Sequence, residues 1–200
     1  MEHDFLQPVM PRLIQGVELR RASLDDAAAL AALIARSARG LGGADYSAAQ
    51  IEAALKGVFG VDTQLIEDGT YWIACVQGEL AGCGGWSFRQ TLYGSDQSAD
   101  RDARRLVPGV DAARIRAFFV APEWARRGIG SLILARCEAE AQAAGFQRLE
   151  LVATRTGRRL YARLGFRAGE PALHRLSDEI EMECIPMVKD LGVPKAPVPG

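Results

Sequence analysis

The sequence has little of what most specialised protein classes need. Its four cysteines, Cys75, Cys83, Cys137 and Cys184, are too few for a disulfide scaffold and show no metal-ligand spacing, so no metal is expected. Each has apolar neighbours, which predicts buried thiols and fits a reducing, cytoplasmic compartment. Net charge is almost absent: 24 Lys and Arg stand against 25 Asp and Glu. That balance gives no whole-chain attraction to nucleic acid or to an acidic membrane, and neither is expected as a partner. The arginines between Arg101 and Arg116 and between Arg155 and Arg167 read as local, solvated runs. No apolar run is long enough to cross a membrane. The first sixteen residues carry Glu2 and Asp4 and do not read as a signal peptide. There are no internal repeats.

Two phosphate-binding motifs are missing as well. The dinucleotide fingerprint needs a third glycine, but Ile133 stands three residues after Gly130. The Walker loop needs Gly-Lys-Ser/Thr, and no such triplet occurs near these glycines.

What is present suits one domain of ordinary size. The chain has 200 residues, 48% of them hydrophobic. The expected layout is a flexible arm over 1–16, a single domain over 17–191 and a flexible tail over 192–200. The chain is organised around Val120–Leu134, VAPEWARRGIGSLIL. Pro122 ends a strand, and Gly128 and Gly130 stand where a helix begins. Ile129, Leu132, Ile133, Cys137 and Ala141 follow at helical spacing. A helix N-terminus presents free N–H groups and the positive end of a dipole. Two glycines leave the approach open, and Arg126 and Arg127 add charge. The stretch is therefore either a phosphate seat or a tight strand–helix turn.

The other elements follow in order. Val17–Arg21 is a candidate strand. Ser23 with Asp26 and Ser47 with Gln50 read as capping boxes, each opening a helix. The first helix buries Leu30, Leu33, Ile34 and Ser37 and stops at Gly40. The second is lined by Ile51, Leu55, Val58 and Phe59. Thr70–Val76 and Leu80–Phe88 form a hairpin, whose Gly82, Gly84 and Gly85 imply close approach of backbone or a bulge. Arg89–Ala113 is either a flap beside a substrate or a solvated excursion. Arg114–Val120 is a strand, and the helix after it ends at Gly145. Arg148–Ala153 is a strand joined to it by a right-handed crossover, so the two should lie parallel. A helix over Thr156–Leu164 stops at Gly165, and Glu181–Val188 is a last strand.

Two groups of residues, taken together, resemble the GNAT superfamily of CoA-dependent N-acetyltransferases. Val120, Pro122, Arg127, Gly128, Ile129 and Gly130 are similar to its pyrophosphate-binding motif, and Leu160, Tyr161, Leu164, Gly165 and Phe166 to its late "LY..LGF" turn. The sequence departs from the motif at Ala125, where the family usually has Gln or Arg, and at Thr154, near a frequent Asn. The resemblance implies an α/β (α+β) fold: a mixed central sheet of about six to seven strands, helices on both faces, and a splay between the fourth and fifth strands. It implies acetyl transfer from acetyl-CoA, without a metal, to a primary amine of a small molecule or peptide, in a ternary complex. The alternative is a CoA-binding sensor of the same fold without efficient turnover.

The implied cofactor-binding residues are Phe119, Val120, Arg126, Arg127, Gly128, Ile129, Gly130 and Ser131. Tyr161 is implied as the catalytic residue, its phenol sharing a proton with the departing CoA sulfur. Tyr46 and Trp86 are candidates for the acceptor pocket, with ordinary packing as the alternative. Glu150, Asp45 and His174 are weighed as bases and none is assigned. A homodimer is a further possibility carried by the resemblance.

Overall fold

The computed structural model describes residues 16–92, 94–96, 102 and 104–192. Nearly all of the expected arm and tail therefore lies outside the described residues. In order, the strands and α-helices are β1 (Val17–Arg21), α1 (Ala27–Gly42), α2 (Ala48–Leu55), α3 (Thr63–Glu67), β2 (Tyr71–Val76), β3 (Glu79–Ser87), β4 (Ala113–Val120), α4 (Ile129–Ala143), β5 (Arg148–Thr154), α5 (Arg155–Arg163), β6 (Arg167–Ala168), β7 (Ala172–Arg175) and β8 (Glu181–Asp190).

They form one sheet in the order β1-β2-β3-β4-β5-β8-β6, with β7 also paired to β8. Among the described strands, only β4 and β5 pair in parallel. The sheet thus has eight strands rather than six to seven. The extra strands, β6 and β7, are too short to show a two-residue period, and they form by pairing along β8. The five-residue α3 escaped the sequence for the same reason. Both capping boxes are present, and the first leads through a 3-10 turn, Leu24–Asp26, into α1.

Alternation along β2 divides the core in two. Trp72, Ala74 and Val76 face α4 and α5, where they meet Ile129, Ile133, Leu134 and Tyr161. Tyr71 and Ile73 face the other way, onto Leu30, Leu33 and Ile34 of α1. Each such aliphatic side chain, fully buried, stabilises the fold by about 1.5–3 kcal/mol. On α4 it is Leu134, not Leu132, that completes the buried face. All four cysteines are free; Cys83 and Cys137 are buried, but Cys75 and Cys184 are only half-buried, which corrects that expectation.

The glycines of β3 are where neighbours press closest. A Cβ on Gly82 would stand 2.7 Å from Ile129 Cγ2, one on Gly84 2.6 Å from the Phe118 ring, and one on Gly85 2.9 Å from Leu65 Cδ1. The sheet can therefore carry α4, Phe118 and α3 at contact distance only because these positions lack side chains.

Candidate active site

β4 and β5 are paired only at Ala113–Leu149 and Arg114–Glu150. Beyond that point β4 runs on to Val120 and β5 to Thr154 without joining, so the sheet forks. The Arg114 guanidinium and the Glu150 carboxylate form an ion pair at the crotch. Glu150, weighed as a base, is thus occupied by Arg114. One position further along the same face of β4, Arg116 pairs with Asp62 at 2.5 Å and donates to the Gly94 carbonyl. Both charges are almost fully buried, which ties the segment before α3 beneath β4.

β4 is also bulged. Cys83 pairs with Phe119 and Gly85 with Arg116, which leaves one residue of β3 opposite two of β4. Ala117 lies in the left-handed region at φ 54°. The bulge exchanges the faces: Ile115 packs on the α4 side, Ala117 on the α1 side, and then Phe118 and Val120 return to the α4 side. Past the bulge, the Ala121 N–H donates to Ala81 across β3. By strand alternation the main chain of Phe119 faces β3 too, and the Phe119 backbone hydrogen-bonds the Cys83 sulfur. Val120 then directs its N–H and C=O into the fork. Of the two residues expected to meet a ligand's arm, the geometry offers the main chain of Val120 and not that of Phe119. The Phe119 side chain stacks edge-on with Phe59, centroids 5.6 Å apart.

From Val120 the chain turns through Pro122–Trp124 into α4. Arg126 (φ 61°) and Gly128 (φ 90°) are both left-handed, and Gly128 is the N-cap. The first N–H groups of α4 find no acceptor within the helix, and the N-cap Gly128 brings no side chain to cap them. Donors without intrahelical acceptors at the positive end of a fifteen-residue helix are a seat for an anion. Arg126 and Arg127 are exposed beside it, and Arg127 lies over the Trp124 ring at 5.1 Å. Gly130 has a second reason to be glycine. A Cβ there would stand 2.9 Å from Leu160 Cδ2 and 3.7 Å from Val120 Cγ2, so α4, α5 and the end of β4 meet at this point.

Tyr161 is held on α5, whose first turn is capped by the Thr154 hydroxyl accepting from the Gly157 N–H. Thr154 thereby fills the role open at the departure from the family's pattern. The ring is 7% exposed and sits edge-on between Phe118 (6.2 Å) and Phe166 (5.6 Å). Burial raises its pKa above that of an ordinary phenol, so the hydroxyl is protonated at any physiological pH. That hydroxyl has no hydrogen-bond partner among the described residues.

Tyr46 and Trp86 are both spent on packing. The Tyr46 hydroxyl donates to the Glu183 carbonyl and accepts from the Arg155 N–H, each at 2.7 Å. It pins the end of α1 to β8 and to the start of α5, and burial lifts its pKa to about 12. Asp45, next to it, accepts from the Thr156 hydroxyl. The Trp86 indole donates to Glu140 on α4 at 3.0 Å and packs on Phe88 and Phe146. His174, on β7, has its pKa lowered by burial. A cavity of about 350 Å³ lies elsewhere, lined by Ile34, Arg39, Leu55, Phe59, Val61 and Asp96 among others. No residue of β4, β5 or α4 lines it, so it is separate from the fork. Among the described residues there is no cluster that would hold a metal ion, and no helix long and apolar enough to cross a membrane.

A sheet forked between parallel β4 and β5, with an anion seat where β4 enters the next helix, defines a class of protein. The family model described as Acetyltransferase (GNAT) family matches residues 45–166, and the chain belongs to that family. Solved structures share the fold. A GCN5-related N-acetyltransferase from Rhodopseudomonas palustris is 21% identical with a TM-score of 0.65, over 89% of this chain and 98% of that one. The PaiA N-acetyltransferase from Thermoplasma acidophilum, in complex with coenzyme A, is 15% identical with a TM-score of 0.60, over 88% and 99%. N-acetylglutamate synthase from Neisseria gonorrhoeae, complexed with coenzyme A and N-acetyl-glutamate, is 20% identical with a TM-score of 0.53, over 90% of this chain and 36% of that one. No curated protein matches the chain.

Proposed function

We propose that this chain transfers the acetyl group of acetyl-CoA to a primary amine of a small molecule or peptide, by direct attack while both substrates are bound. One observation carries the reading: the fork between β4 and β5 opens onto the N-terminus of α4, with Tyr161 beside Phe118 at its wall. These features suit the ligand's chemistry. Residues 126–131 offer main-chain donors to a diphosphate, and Arg126 and Arg127 add charge without blocking it. Val120 offers an unpaired main chain to an amide-bearing arm, which would lie in the fork as an added strand. When bound, acetyl-CoA supplies the acyl group as a thioester.

In the transfer the amine nitrogen bonds to the carbonyl carbon, the C–S bond breaks, and a proton shed by nitrogen is balanced by one gained at sulfur. Tyr161 acts at the sulfur. A free thiol has a pKa of about 8.5, and the buried phenol stands above its usual value of about 10. Complete proton transfer from the phenol therefore runs uphill, by about 1.4 kcal/mol for each unit of difference. Tyr161 serves best by hydrogen-bonding the developing thiolate, which is worth about 1.5–3 kcal/mol, or roughly 10- to 150-fold in rate.

The test is CoA release from acetyl-CoA across a panel of polyamines, amino acids, aminoglycosides and short peptides, with wild type and Tyr161→Phe. At least one amine should be acetylated, and the variant should lose kcat by that factor with KM for acetyl-CoA little changed. An unchanged rate in the variant removes Tyr161 from the chemistry. Binding of CoA with no amine acetylated would leave a CoA-binding protein in place of an enzyme.

A further inference from the structure

The bulge of β4 is gripped from beneath by two buried side chains. The Tyr71 hydroxyl donates to the Cys83 sulfur at 3.3 Å and lies 3.4 Å from the Ala117 carbonyl oxygen. The Cys83 thiol donates to the same carbonyl at 3.6 Å. Both side chains are fully buried, on β2 and β3. Ala117 has no glycine's freedom, yet it keeps φ at 54°. A non-glycine residue stays there only where its surroundings hold it; here the Cys83 thiol donates to its carbonyl, and the Tyr71 hydroxyl, lying beside both, fixes the thiol.

The peptide joining Ala117 to Phe118 is trans, as all described bonds are. In a planar trans peptide the C=O and the N–H point in opposite directions. A carbonyl fixed toward Tyr71 and Cys83, on the α1 face of the sheet, therefore sends the Phe118 N–H toward the opposite face, where Phe118 and Tyr161 lie at the fork. We infer that Tyr71 and Cys83 are positioning residues: by pinning the Ala117 carbonyl they aim the Phe118 N–H at the thioester carbonyl of a bound acyl-CoA. This rests on the acetyl-CoA reading above. A fixed donor at that oxygen stabilises the charge that develops there during attack, without reorganisation at the moment of reaction.

The test needs no acceptor amine. Acetyl-CoA labelled with ¹³C at the carbonyl is bound to wild type, Tyr71→Phe, Cys83→Ala and Cys83→Ser. The thioester band is read by difference infrared spectroscopy, and CoA affinity by calorimetry. In wild type the band should lie below its position in free acetyl-CoA. In Tyr71→Phe and Cys83→Ala it should move back toward the free position, while CoA affinity stays within about threefold, since diphosphate seating is untouched. Cys83→Ser, which keeps a donor and an acceptor, should retain most of the wild-type shift. If wild type binds CoA but its thioester band is unshifted, or if both Tyr71→Phe and Cys83→Ala keep the wild-type band, the inference is wrong. If wild type does not bind CoA at all, it is the functional reading that has failed. Should Tyr71→Phe not fold, the two Cys83 variants decide the matter alone.

Discussion

Replacing Gly84 with alanine should strain the molecule at the fork. The new Cβ would stand 2.6 Å from two carbons of the Phe118 ring and 2.7 Å from a third. Ordinary carbon–carbon contact begins at about 3.5 Å, so the ring must withdraw by roughly 1 Å. It cannot flex as a long aliphatic chain would, and Tyr161 stands edge-on against it. Overpacking of this kind costs about 1–3 kcal/mol. For a chain of this length that lowers Tm by about 2–12 °C. Gly57 is the matched control. It has no positive φ, and a Cβ there meets nothing within 4 Å. Gly57→Ala should be neutral or stabilising, by up to about 1 kcal/mol, because it restricts the unfolded chain. Thermal melting of both variants by circular dichroism separates the cases. A Gly84→Ala protein as stable as Gly57→Ala would refute the argument that β3 is glycine-rich to admit its neighbours.

Three further outcomes follow from the buried polar groups. Glu140 accepts from both the Trp72 and Trp86 indoles at 3.0 Å and pairs with Arg21 and Arg136. Glu140→Ala should cost about 2–4 kcal/mol in urea denaturation by stranding two indole donors, and Glu140→Gln less, because its amide oxygen still accepts. Burial raises the thiol pKa of Cys83 to about 12 and of Cys184 to about 11. A raised folded-state pKa contributes stability that is complete below the unfolded value, near 9, and is lost as pH climbs through the folded value. Folding stability should therefore decline between about pH 9 and 12, and native protein at pH 8 should be alkylated first at Cys75, far more slowly at Cys184, whose burial holds it as the thiol, and at Cys83 and Cys137 after unfolding.

Much of the fold was legible because its signals are local. Ser47 with Gln50, Gly145 and Gly165 after their helices, and the apolar spacing of α1 each act within a few residues, and the structure keeps them. The β3 glycines signalled close approach, but which neighbour each admits is a matter of tertiary packing. The same glycines offered a bulge as one reading, but nothing local placed its extra residue on β4. Ala117 is not a residue that favours positive φ, and what holds it comes from Tyr71 and Cys83, far away in sequence. Tyr46 misled for the same reason. An aromatic residue in a polar loop looks available, and only the fold shows its hydroxyl taken by Glu183 and Arg155, more than a hundred residues on. Phe118, one apolar residue of the strand Arg114–Val120 with no signal of its own, is the ring between Gly84 and Tyr161.

The central claim is that main-chain N–H groups of 126–131 hold a diphosphate, and substitution of Gly130 is a poor probe of it because a larger residue also collides with Leu160. Calorimetry on the unmodified protein with CoA and with pantetheine, which shares the arm but lacks the diphosphate, asks the question directly. The account predicts binding of CoA and affinity for pantetheine at least a hundredfold weaker, a difference of about 2.7 kcal/mol or more. Equal affinity for the two ligands, or no heat with CoA at millimolar concentration, would contradict it.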